Sequence, residues 1–84
     1  METKNYVFAG RELTLREMQI ISMMVKMQTR KVMAASLGIS VNTLGHQITV
    51  LFAKTDCLSN LQLIIKALEN GFDKQGTLKG ETLI

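Results

Sequence analysis

Apolar residues recur every three or four positions in four separate stretches of this chain, the spacing that gives an α-helix one buried face. The first stretch follows Thr14-Leu15-Arg16-Glu17, where Glu stands three residues after Thr. That pattern is a capping box, in which each side chain satisfies a backbone donor at the other's position, so a helix is expected to start there. Its apolar residues Met18, Ile20, Ile21, Met24 and Val25 share a face, widened by Met23 and Met27. These methionines read as ordinary core. A second, short helix is expected from Arg30 to Leu37, capped by Thr29, with Val32, Met33 and Leu37 inward and the small Ala34 and Ala35 where another helix comes close.

The strongest local signal is Leu37-Gly38-Ile39-Ser40. Gly38 can take the positive φ that ends a helix, and Ser40 can accept a hydrogen bond from the free N–H groups that begin the next. Ile39, held between them, is expected to point inward and pin the two helices at a steep angle. The third helix then runs from Val41 to Lys54, with Leu44, Ile48 and Leu51 inward and Val41, Asn42, Gly45, His46, Thr49 and Ala53 outward. Helix, tight turn and second helix make a helix-turn-helix, whose second helix can lie in the major groove of DNA. After a short connection over Thr55-Asp56-Cys57-Leu58, Ser59 can cap a fourth helix from Asn60 to Asn70, stopped by Gly71. Apolar residues go nearly all the way round this helix, more than a small domain can bury, so part of it is expected to pack against another chain.

The remaining segments lack sustained periodicity. Residues 1–12 are expected to form an extended N-terminal arm, with Tyr6, Val7 or Phe8 folded back on the core. Residues 13–71 form the helical domain and residues 72–84 a loosely ordered tail. Proline and tryptophan are absent, methionine occurs 6 times and aromatics make up 5%, which points to an aliphatic, helical core. The expected fold class is therefore all-α, with four helices. Eighty-four residues suffice for one small domain and leave no room for a large catalytic cleft.

Net charge is +3, and between Leu13 and Leu68 the bases Arg16, Lys26, Arg30, Lys31, Lys54 and Lys66 face only Glu17 and Asp56. Such an excess is compatible with a polyanionic partner but is equally that of a solvated surface. The one cysteine, Cys57, excludes an internal disulfide and a cysteine-cluster zinc site, and reads as a small buried hydrophobe. No nucleophile and base at catalytic spacing, phosphate-binding glycine loop or metal cluster occurs, so neither an enzyme nor a cofactor is expected. No apolar run approaches the length of a membrane span and no signal pattern opens the chain, which makes the cytoplasm the expected location.

Two runs together carry a resemblance. Leu13-Thr14-x-Arg16-Glu17, and then Ala34-x-x-Leu37-Gly38-Ile39-Ser40-x-x-Thr43-Leu44 with a later Lys54, resemble the LuxR-type (GerE-like) DNA-binding domain from about Leu13 to Ala67 without a gap. The resemblance implies a three-helix helix-turn-helix core plus a C-terminal dimerisation helix, binding double-stranded DNA as a homodimer to regulate transcription. It implies base-reading positions at Gly45, His46 and Thr49, with Asn42 and Gln47 nearby. Phosphate contacts are implied at Thr29, Arg30, Lys31, Ser40, Asn42 and Thr43, with Lys54 in addition, and dimerisation through Leu61, Leu63, Ile64 and Leu68. RNA polymerase or a regulatory protein is a further partner to expect. Family members commonly carry an N-terminal receiver or ligand-binding domain; this sequence is either a stand-alone effector or one piece of a longer chain.

The chain departs from the family where members usually carry Glu, Lys and His: it has Val32, Gly45 and Gln47. Gly45 removes a common base-reading cation and lets the helix approach the groove closely. With no Arg or Lys on the outward face before Lys54, the bidentate guanine contact is not available from this helix. Specificity is then expected from Asn42, His46, Gln47 and Thr49, from apolar contacts such as Val41, or from DNA shape. The isolated domain is expected to bind DNA weakly and to need a dimer or partner. The alternative is a helix-turn-helix that has lost DNA reading and serves as a protein-interaction or dimerisation module.

Overall fold

The computed structural model describes residues 5–78, in the order β1 (Asn5–Phe8), β2 (Arg11–Thr14), α1 (Leu15–Val25), α2 (Arg30–Leu37), α3 (Val41–Thr55) and α4 (Asn60–Glu69). The expected all-α class is overturned by the first two elements. β1 and β2 form a two-stranded antiparallel sheet in the register Asn5↔Thr14, Tyr6↔Leu13, Val7↔Glu12 and Phe8↔Arg11. Of the expected arm, residues 5–12 are thus the first strand, the turn and the start of the second strand of a hairpin, residues 1–4 lie outside the described residues, and the fold mixes helix and sheet. The turn is the two residues Ala9 and Gly10, both at positive φ (51° and 80°), the combination whose twist matches that of the flanking strands. Alternation along the strands then points Phe8 and Leu13 into the core and Val7 and Glu12 to solvent. A strand pair this short would be marginal alone; burial of Phe8 and Leu13 against the helices holds it.

α1 is the central element. It contacts both strands, α3 and α4, while α2 packs on α3. The Thr14–Glu17 capping box is fully made: the Glu17 N–H donates to Thr14 Oγ1 at 3.2 Å and the Thr14 N–H to Glu17 Oε1 at 2.8 Å. Met18, Ile20 and Ile21 are wholly buried, each such burial contributing about 1.5–3 kcal/mol. Met27, expected to widen this stripe, lies beyond the helix at φ 62° and is 77% exposed, because α1 ends at Val25. In α2 the inward residues are Met33 and Ala34, with Leu37 half-buried; Val32 faces outward.

The C-terminal stretch as far as Leu78 is folded onto α1. The Phe72 ring meets that of Phe8 edge-on, with centroids 6.1 Å apart, and Phe72 bridges to Leu78. Between them the Asp73 carboxylate accepts hydrogen bonds from the N–H groups of Gln75 and Thr77, which shapes a tight turn. The turn presents the Gly76 carbonyl to the Ser22 hydroxyl. A side chain at Gly76 would place its Cβ 2.5 Å from the Ser22 carbonyl oxygen, so only glycine allows this approach. Cys57 is buried as expected, its Sγ 3.5 Å from the Thr55 carbonyl oxygen.

Candidate nucleic-acid interface

α2 and α3 are joined as the turn pattern requires. Gly38 ends α2 at φ 69°, the left-handed cap conformation, with its N–H on the last carbonyls of the helix. Two residues later Ser40 caps α3: its hydroxyl oxygen accepts from the Thr43 N–H at 3.0 Å and the hydroxyl donates to Thr43 Oγ1 at 2.9 Å. Thr29 caps α2 in the same manner, accepting from the Val32 N–H at 3.2 Å. Neither helix has a carboxylate in its first turn, and α2 instead begins with Arg30 and Lys31. Between Glu17 and Asp56 the chain contains no acidic residue at all. Cations at the positive end of a helix dipole are electrostatically uphill, so this end of the molecule is poised to accept negative charge.

The inner face of α3 is fully packed, with Leu44, Ile48 and Leu51 at most 1% exposed. Its opposite face carries Val41, Asn42, His46, Thr49 and Ala53 in the open, with Gly45 half-buried among them. Thr49 donates its hydroxyl back to the Gly45 carbonyl at 3.0 Å, which commits the proton and leaves its methyl and oxygen lone pair outward. Val50, not singled out from the sequence, is also 52% exposed; its place four residues after His46 is the signal that would have found it. Gly45 is not open space. The Nη1 atom of Arg30 lies 3.7 Å from where its Cβ would stand, so the α2 guanidinium rests over the gap in α3.

The structure separates two other expected contacts from this face. Lys54 is bound within the chain, its Nζ 2.9 Å and 3.1 Å from the two carboxylate oxygens of Glu17. Burial raises the Glu17 carboxyl, but the Thr14 N–H and the Lys54 ammonium outweigh it and hold the pKa below the usual carboxylate value. Gln47 is half-buried and lines a shallow hollow of about 300 Å³ with Thr14, Arg16, Glu17, His46 and Val50. Its Oε1 is buried and has no hydrogen-bond partner among the described residues. Gln47 therefore borders the junction of α1 and α3.

On α4 the four expected interface residues divide. Leu61 and Leu68 are exposed, Ile64 is half-buried, and Leu63 is wholly buried in the chain's own core and presents no surface to a partner. The exposed apolar row on α4 is Leu61, Ile65 and Leu68, at 66%, 48% and 45% exposure, with Leu58 (88%) in the connection just before the helix. Its three-and-four spacing was visible in the sequence, but a helix apolar on every side does not say which row faces outward. The end of α3 is fastened to the last turn of this helix, Lys66 Nζ donating to the Thr55 carbonyl at 2.7 Å. No family model, curated protein or solved structure matches this chain.

Proposed function

We propose that this chain is a LuxR-type DNA-binding transcriptional regulator that lays α3 in the major groove and acts as a dimer through α4. The observation that carries the reading is the outward face of α3, a row of exposed side chains without carboxylates, flanked by two helix starts without carboxylates and with Arg30 and Lys31 beside it. Asn42 and His46 lie exposed on that face, and hydrogen-bonding side chains backed by cations are what base edges and phosphates require. Thr29, Arg30, Lys31, Ser40, Asn42 and Thr43 would supply phosphate contacts, and Asn42, His46 and Thr49 would face the bases. Phosphate contacts give most of the affinity, so binding falls as salt rises.

Selection of bound sequences from random duplex DNA, at low and at physiological salt, tests the reading. An enriched inverted repeat is the expected result. A second reading, an interaction module without DNA recognition, is favoured by the exposed row Leu61, Ile65 and Leu68 on α4, with Leu58 just before it. It predicts a stable self-complex unaffected by DNA, together with no retention of duplex at either salt. Leu61→Asp with Ile65→Asp is expected to leave the fold intact, abolish dimerisation and reduce selection to a half-site.

A further inference from the structure

Gly45 occupies an interior position of α3 where the backbone makes no demand for glycine. Its φ is not left-handed, and an added Cβ would meet only the Arg30 guanidinium, at the ordinary contact distance of 3.7 Å. Glycine is the poorest helix former apart from proline, and here it falls in the middle of the face proposed to read DNA, three residues after Asn42 and four before Thr49. Arg30 is the complementary anomaly. It stands at the first position of α2, where the helix dipole disfavours a cation, and among the described residues no carboxylate pairs with it. Its guanidinium reaches sideways across to α3.

We propose that Arg30 enters the major groove over the gap at Gly45 and reads a guanine, so that the base-reading cation of this domain comes from α2 and not from α3. The inference rests on the DNA-binding reading above and changes the role expected of Arg30 from phosphate anchor to specificity determinant. A guanidinium offers parallel N–H donors matched to the O6 and N7 acceptors of guanine, a pairing that no side chain on the outward face of α3 before Lys54 can make. At position 45 only a side chain longer than a methyl group would compete with the guanidinium for that space, and glycine leaves it open. Arg30 belongs to this face because of a contact between helices, which explains why its sequence position alone assigns it to the phosphates.

The test compares the intact chain with Arg30→Ala and Arg30→Lys by fluorescence anisotropy. The probes are a duplex recovered by the selection, the same duplex with each guanine replaced in turn by 7-deazaguanine, and a duplex of scrambled sequence. Arg30 is exposed, so both variants are expected to keep the circular dichroism and melting curve of the parent. Arg30→Ala is expected to weaken binding to the recovered duplex roughly tenfold or more while changing the scrambled duplex far less, the scale of a bidentate base contact. It should also become indifferent to the one 7-deazaguanine that weakens the parent, and Arg30→Lys, lacking the fork, should not restore that sensitivity. Equal weakening on both duplexes, with a salt slope shallower by about one, would make Arg30 a phosphate contact and overturn the proposal. Recovered duplexes with no guanine at a fixed position overturn it as well. Both results leave DNA binding itself standing, whereas failure to bind any duplex removes the underlying reading too.

Discussion

α1 and α3 are both amphipathic helices rich in apolar residues, yet α1 buries eight residues of an 11-residue helix and α3 buries four of 15. The cause is their surroundings. α1 is enclosed by the hairpin, by α3 and by α4, and the Phe72–Leu78 stretch returns to its Ser22. α3 has neighbours on one side only, so Val41 and Val50 remain in the open although their residue types would suit a core. One helix therefore carries stability, and the other presents a face whose residues can vary with little cost to the fold.

The largest effect that should break this contrast is in α1. Ile21→Ala is expected to destabilise by about 2–5 kcal/mol in chemical denaturation, the range for emptying a core site, whereas His46→Ala on α3 should stay within about 0.5 kcal/mol. On the DNA-binding reading proposed above, His46→Ala should instead relax base preference at one position of the selected sequence. An equal loss of stability in both variants would show that the outward face of α3 is structural after all. Next in size, Gly76→Ala forces a Cβ against the Ser22 carbonyl and is expected to cost about 1–3 kcal/mol, read as a lower denaturation midpoint. An unchanged midpoint would mean that the stretch after α4 adds nothing to α1.

The Glu17–Lys54 pair joins the two helices and gives a smaller, pH-dependent effect. The folded carboxyl has its pKa below the unfolded one, so its contribution is complete above the ordinary carboxylate range and is lost as pH falls through the folded value. Glu17→Gln keeps the capping-box acceptor but loses the charge facing Lys54, so it should flatten the acid limb of stability against pH and lower stability at neutral pH by up to about 1 kcal/mol. Smallest is Met27→Gly. Met27 holds φ 62° while 77% exposed, and relief of that conformation is expected to gain a few tenths to about 1 kcal/mol, measured as a rise in melting temperature.

Every helix start was legible in the sequence. Thr14, Thr29, Ser40 and Ser59 each accept from a backbone N–H three residues on, and Gly38 closes α2 within the same turn. Such bonds span so few residues that composition and spacing suffice to specify them. The periodicity likewise determined Leu44, Ile48 and Leu51 as the inner face of α3. The hairpin escaped because its strands have four residues each and its Ala-Gly turn lacks the usual Asn-Gly or Asp-Gly signature. Other features depended on contacts between residues far apart: the meeting of Phe8 with Phe72, the Ser22–Gly76 hydrogen bond across 54 positions, the closure of Leu63 into the core and the Arg30 guanidinium over Gly45. Only tertiary structure decides these, because a residue's own neighbours set its dihedral preferences and its turn of helix, while what covers it is set by where the rest of the chain returns.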